Sequence, residues 1–250
     1  MIILKSPEEI EKMAHACRII AKTINEIRDI VKPGITTEEI ERFADDYIRS
    51  NEALPAFKGY RGYPASICTS INDEVIHGIP SKRILRDGDI LSIDLGVYSR
   101  DGFYGDGAVT LPVGKIDSDV EKLIRVTEES LYIGIDRAKV GNRVSDISNS
   151  IQRHVELNGF SVVRAFVGHG IGRELHEEPQ IPNFGLPGRG PRLREGMTLA
   201  IEPMVNAGGY EVLVLNDGWT AVTVDGKPSA HFEHTVLVTQ NEPVILTKID

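Results

Sequence analysis

Apolar residues recur at helical spacing in four stretches of the chain, and polar and apolar residues alternate through much of the rest. The first stretch opens at Ser6-Pro7-Glu8-Glu9, a capping Ser followed by Pro in the first turn and Glu three residues on. Ile10, Met13, Ala14, Cys17, Ile20, Ala21, Ile24 and Ile27 then form one apolar stripe, which Pro33-Gly34 stops. Thr36 and Glu39 begin a second helix with Ile40, Phe43, Ala44, Tyr47 and Ile48 as its inner face. Loops around Gly59 to Pro64 lead to strands over residues 88–114. A third helix is expected over 118–139, capped by Ser118 and Glu121 and ended by Gly141, and a fourth runs to about Asn158. Strand and loop follow from Phe160 onward.

This order contains a weak repeat. Glu11-Lys12-Met13 lies in a helix that closes at Gly34, and Glu121-Lys122-Leu123 in one that closes at Gly141. A second helix and then β segments follow each time. Two related α+β halves whose sheets enclose one site account for the pattern.

With 250 residues and 41% hydrophobic content, the chain can build a substantial core. Its net charge of -9, with no basic run beyond Lys82, Arg83 and Arg86, argues against sequence-specific nucleic-acid binding. That short cluster reads as a solvated loop. Cys17 and Cys68 are too few for a disulfide framework or a Cys-type zinc site. The N-terminal apolar stretch is too short for a signal peptide, and no run is long enough for a membrane helix. A soluble cytoplasmic monomer is expected.

Five residues carry the chemistry: Asp94, Asp106, His169, Glu202 and Glu233, in SIDLG, YGDGA, VGHGIG, LAIEP and FEHTVLV. Four carboxylates in strand-like apolar segments cannot be buried uncompensated, and those segments offer no matching Lys or Arg. A pair of divalent cations is the simplest neutraliser, and such a pair activates water for hydrolysis. In ILSIDLGV, alternation puts Asp94 on the face of Ser92, opposite Leu91, Ile93 and Leu95. A hairpin centred on Arg100 would set Asp94 directly opposite Asp106. Gly168-His169-Gly170-Ile171-Gly172 lacks phosphate-loop spacing and reads as close backbone packing around a ligand His. His176 follows in the same Gly-rich loop. Glu202 faces away from Leu199 and Ile201. Glu233 shares a face with His231 and Thr235, while His234 faces away, and His15 and His154 sit on helices as structural residues.

These segments, together with PAFKGYRGYP, INDEVIHGIP, DGWTAVTVDG and AHFEHTVLVT, resemble the bacterial type I methionine aminopeptidases of the pita-bread metallopeptidase superfamily, and they run through almost the whole chain. The resemblance implies an α+β pita-bread fold as a single catalytic domain over 1–250, with two pseudo-symmetric halves, a central antiparallel sheet and helices outside. It implies removal of the N-terminal Met from nascent proteins when the second residue is small, with two divalent ions of Co, Mn, Fe or Zn. Asp94, Asp106, His169, Glu202 and Glu233 become the metal ligands, with Asp106 and Glu233 shared between the ions, and Glu202 the proton shuttle. His77 and His176 become active-site histidines contacting substrate, and Tyr60, Tyr63, Cys68, Leu175 and Trp219 line the methionine pocket. The partner is the N-terminus of a nascent polypeptide, with a ribosome contact plausible for a co-translational enzyme. Two positions depart from the pattern: Asp94 and Asp106 are one residue further apart than in most relatives, and Leu175 stands where an aromatic is common. An Xaa-Pro-directed peptidase and a non-catalytic peptide-binding member of the fold are the alternative readings.

Overall fold

The computed structural model describes residues 1–248. Its four helices are α1 (Pro7–Ile30), α2 (Thr37–Ser50), α3 (Ser118–Ile135) and α4 (Val144–Leu157). The first two begin as the sequence predicts. Ser6 Oγ accepts the Glu9 N–H while Glu9 accepts the Ser6 N–H, and Thr36 with Glu39 repeats the exchange. For α3 the expected cap is wrong. Asp117 takes the N-cap position without a side-chain cap, Ser118 is already helical, and the helix ends at Ile135, short of 139.

A nine-stranded sheet forms the centre. Its path runs Leu54–Pro55, Ile90–Tyr98, Tyr104–Pro112, Glu233–Leu237, Thr198–Ile201, Val167–Gly170 and Glu177–Pro182. Cys68–Ile71 also pairs with Ile90–Tyr98, and Val244–Ile245 with Glu233–Leu237. Every pairing in this sheet is antiparallel. The two halves join where Glu233 meets Ala108 and His234 meets Gly107. Helix α1 lies across the Tyr104–Pro112 strand, and α3 packs against α4 over the second half. One apolar cluster runs from Ile20 and Ile40 through Ile93 and Val109 to Ile147, Leu199 and Val236, so the halves share a core.

The hairpin register differs from expectation. Asp94 pairs with Ala108, and Asp106 pairs with Gly96, so the turn centres on Asp101 rather than Arg100. Ser99 N–H donates to Phe103 O, Gly102 N–H donates to Ser99 O, and Gly102 sits at φ 81°. This is a three-residue loop whose last residue needs the left-handed region that Gly enters freely. The shift separates the two aspartates by two positions. A strand repeats every two residues, so both still project from one face.

Glycine also sets how closely α1 approaches. A Cβ on Gly105 would lie 2.9 Å from Cys17 Sγ, and one on Gly107 3.0 Å from Ile20. The two flanks of Asp106 thus press against the helix, and Asp106 itself faces the other way.

Candidate metal centre and pocket

Two neighbouring rows of residues on the face opposite α1 carry all five donors. The first row runs Cys68, Asp94, Ala108 and Glu233 across four strands. Its next place belongs to Glu202, one residue beyond the Thr198–Ile201 strand, because His234 pairs with Ile201. The second row runs Gly96, Asp106, Thr235, Ala200 and His169. Ala108, Gly96 and Ala200 leave the floor between the charged groups low.

Hydrogen bonds fix two of the donors. Asp106 N–H donates to Thr235 Oγ1 at 3.1 Å, and the Thr235 hydroxyl donates to Asp106 O at 2.8 Å. The Asp106 carboxylate accepts the Gly107 N–H at 3.1 Å. His169 Nδ1 lies 2.9 Å from Gly170 O, which places the proton on Nδ1 and leaves the Nε2 lone pair free for a metal. The glycines either side of His169 have no room for a side chain, since a Cβ would strike Ala200 O from Gly168 and Glu178 O from Gly170. The expected close packing around this histidine is therefore present.

The donor atoms of Asp106, His169 and Glu233 all lie within 4.8 Å of one another. His169 Nε2 is 3.5 Å from Glu202 Oε1. Asp94 Oδ1 and Glu233 Oε1 are buried without a hydrogen-bond partner. Burial, with the neighbouring carboxylates adding to it, holds Asp94, Glu202 and Glu233 well above the usual carboxylate range, and burial pushes Asp106 up to about 7. Buried oxygens without partners, mutual repulsion and a metal-ready imidazole together fit a site for divalent cations.

A cavity of about 150 Å³ opens onto this centre. Every residue singled out from the sequence lines it: the five donors, His77 and His176, and Tyr60, Tyr63, Cys68, Leu175 and Trp219. Phe57 and Arg61 line it as well and were missed, although both lie in the PAFKGYRGYP segment that supplies Tyr60 and Tyr63. Tyr63 donates its hydroxyl to Gly78 O at 2.9 Å and meets Trp219 edge-on at 5.1 Å. Cys68 is a free buried thiol whose pKa burial raises well above its ordinary value. His176 stacks on Tyr60 and lies against His169 with ring centroids 4.1 Å apart. His77 adopts φ 61° and stands edge-on to Phe166 and Trp219. Burial holds both histidines neutral, at about 4.

His231 was also missed as a site residue. It is 2% exposed, its Nε2 is 3.8 Å from Glu202 Oε2, and neither ring nitrogen has a partner among the described residues. Strand alternation already put it on the face of Glu233, which was the available signal. His15, His154 and His234 lie elsewhere, beside Asp101, Glu129 and Thr247. No described helix is long and apolar enough to cross a membrane.

The antiparallel α+β frame, with buried acids and imidazole on one face, is that of a metal-dependent hydrolase. The profile of metallopeptidase family M24 matches residues 11–240, and the chain belongs to that family. It is 57% identical over 249 residues to a methionine aminopeptidase of Clostridium perfringens and 54% identical to methionine aminopeptidase 1 of Bacillus subtilis, with 100% of both partners covered in each case. The crystal structure of a methionine aminopeptidase from Thermotoga maritima superposes with a TM-score of 0.98 at 51% identity, again over 100% of each chain. The prolidase of Pyrococcus horikoshii shares the fold, with a TM-score of 0.81 at 23% identity, and this chain covers 65% of it. The pita-bread architecture expected from the sequence is therefore the one observed.

Proposed function

We propose that this chain removes the N-terminal methionine from new polypeptides whose second residue is small. The observation that carries the reading is the single cavity in which five metal-donor side chains meet an apolar pocket. Relatives above half identity, named for the same activity, support it.

Asp94, Asp106, His169, Glu202 and Glu233 would hold two divalent ions, of Co, Mn, Fe or Zn. Bound there, the ions would polarise the scissile carbonyl and make a water easily deprotonated. Glu202 takes the proton from the attacking water and returns it to the leaving amine, since its carboxyl stands beside the other donors, 3.5 Å from His169 Nε2. His176 donates a hydrogen bond to the carbonyl oxygen as negative charge develops there. The Tyr60 hydroxyl lies 2.9 Å from its Nδ1; with the phenol as donor, the proton of the neutral ring sits on Nε2. His77 binds near the scissile amide. Tyr60, Tyr63, Cys68, Leu175 and Trp219 receive the methionine side chain, whose thioether is flexible and packs well on aromatic edges. The carboxylates that line the same cavity favour a free α-amine over an internal peptide bond.

The whole chain acts as one catalytic domain, a cytoplasmic monomer that meets its substrate at or near the ribosome. The discriminating experiment compares Met-Ala-Ser with Xaa-Pro peptides after titration with each divalent metal. Release of Met from Met-Ala-Ser should dominate at every metal loading. Faster cleavage of Xaa-Pro peptides, or no turnover with any divalent metal, overturns the reading.

A further inference from the structure

The loop that brings Leu175 and His176 to the cavity is held from the other end of the chain. Lys5, in the segment ahead of α1, forms an ion pair with Glu177 in which both side chains are almost wholly buried. Lys5 Nζ also donates to Ile3 O at 3.4 Å, and the Lys5 backbone N–H donates to Gly196 O at 2.8 Å. The other oxygen of Glu177 accepts the backbone N–H of Arg173 at 2.9 Å and of Glu174 at 3.3 Å. One carboxylate therefore pairs with Lys5 and closes the turn just before Leu175 and His176.

Gly172, the last glycine of the GHGIG run, serves neither the donor set nor the pocket. A Cβ there would come within 2.7 Å of both Lys5 Nζ and Glu177 Oε1. Its bare Cα is what allows the lysine to reach the carboxylate. A second tie, Arg173 to Glu9 at 3.0 Å, runs from the same turn to α1, but on an exposed surface where such pairs are weak.

We propose that Lys5 is a positioning residue that acts through Glu177 to hold the 173–176 turn, and with it His176, in place for turnover. The proposal rests on the role given to His176 above. Removing the ammonium strands a buried carboxylate. The carboxylate turns toward water, the Arg173 and Glu174 amides lose their acceptor, and the turn that sets His176 loosens.

A double-mutant cycle in the Mn²⁺-loaded full chain tests this, with kcat read on Met-Ala-Ser. Lys5→Met should lower kcat by about tenfold to a hundredfold, the scale of a small misplacement at a reacting centre. In a His176→Ala background it should lower kcat by less than about twofold, because the loss acts through that ring. Lys5→Arg, which keeps the charge, should retain most of the turnover. Equal losses in both backgrounds, or wild-type kcat in a folded Lys5→Met protein, overturn the proposal. If Lys5→Met does not fold, Lys5→Met/Glu177→Leu, which strands no charge and leaves the Arg173 and Glu174 amides without their acceptor, takes its place in the cycle with the same expectations. Amide exchange supplies a readout independent of turnover. The Arg173 and Glu174 amides should exchange more than about tenfold faster in the variant, while Ile90–Tyr98 is unchanged. An inactive wild type would refute the function proposed above but leave this measurement valid, and unchanged exchange at the turn would overturn the clamp.

Discussion

Asp94 and Glu233 stand in one row of the sheet, each paired with Ala108 on the strand between them. Each has a buried carboxyl oxygen without a partner, Asp94 raises the cost of ionising Glu233, and Asp106 raises that cost for both. Without a cation between them, such buried carboxyls cost stability. Glu233→Gln preserves shape and removes one ionisable group. In metal-free protein it should raise the melting temperature by about 2–4 °C, equivalent to roughly 1 kcal/mol. In calorimetric titration with Mn²⁺ or Co²⁺ the same variant should lose tight binding. A variant that melts lower without metal and still binds it tightly would remove Glu233 from the donor set.

The same electrostatics sets a pH dependence for the metal-free protein. Asp106, raised to about 7, and the higher-shifted Asp94, Glu202 and Glu233 hold protons in the folded state that the unfolded chain has released. Their stabilisation is complete below the ordinary carboxylate range and is lost as pH rises through the folded pKa values. His77 and His176, lowered to about 4, and His169 and His231, lowered to about 3, act in the opposite sense. Their contribution is present above an unfolded pKa of about 6.5 and is lost as pH falls below it. Between about pH 7.5 and 8.5 the unfolded histidines are almost wholly neutral as well and the raised carboxyls dominate, so unfolding free energy should fall by more than ~1 kcal/mol across that window. Denaturant melts at the two pH values measure this. Saturating metal should abolish the fall, because it binds the ionised ligands and releases their protons.

His176 is held by the Tyr60 hydroxyl at 2.9 Å and by a ring stacked at 5.3 Å. Tyr60→Phe keeps the stack and removes the hydrogen bond that directs the proton to Nε2. It should lower kcat about fivefold to tenfold, the worth of one hydrogen bond, with KM nearly unchanged. His176→Ala should cost well over tenfold, more than ~1.4 kcal/mol of barrier. Steady-state kinetics on Met-Ala-Ser decides both, and near wild-type turnover in His176→Ala would take the ring out of the mechanism.

How much of this was legible depends on the range of the interactions involved. Ser6 with Glu9 and Thr36 with Glu39 are contacts three residues apart, and both capping boxes were visible in the sequence. Ser118 with Glu121 has the same spacing but not the role, because Asp117 supplies the extended residue before the helix and no local rule separates the two. The hairpin centre was misplaced by one residue, since Gly102 takes the left-handed position in a three-residue loop. The aspartates stayed on one face because the resulting shift was an even number of residues. His231 and Lys5 were overlooked for a different reason. The carboxylates they approach, Glu202 and Glu177, lie far along the chain, and only the fold brings them close.

Trp219 tests the methionine pocket with little risk to the fold. It is only partly buried and lies in the turn between Val212–Val214 and Ala221–Thr223, edge-on to Tyr63 and His77. Trp219→Ala opens that wall. KM for Met-Ala-Ser should rise about tenfold, the value of one lost aromatic contact, with a melting temperature within about 2 °C of the parent. The preference for Met over smaller first residues should narrow in a competition assay. An unchanged KM would place the side-chain pocket elsewhere.

Gly105 tests whether the helix fixes the position of Asp106. The residue directly precedes Asp106, and a Cβ there would sit 2.9 Å from Cys17 Sγ and 3.0 Å from Ile20 in α1. Both partners are fully buried, so neither can swing out into solvent. Gly105→Ala must therefore push the strand away from α1, toward the donor face. Overpacking of this kind costs about 1–3 kcal/mol, or a few degrees of melting temperature for a domain this size. The displacement should also weaken metal binding, although the new methyl points away from every donor. Cys17→Ala removes the sulfur that the methyl meets, so the double variant should recover part of both losses. If Gly105→Ala lowers stability while metal affinity stays at the wild-type value, the helix supports the strand without setting the position of the aspartate.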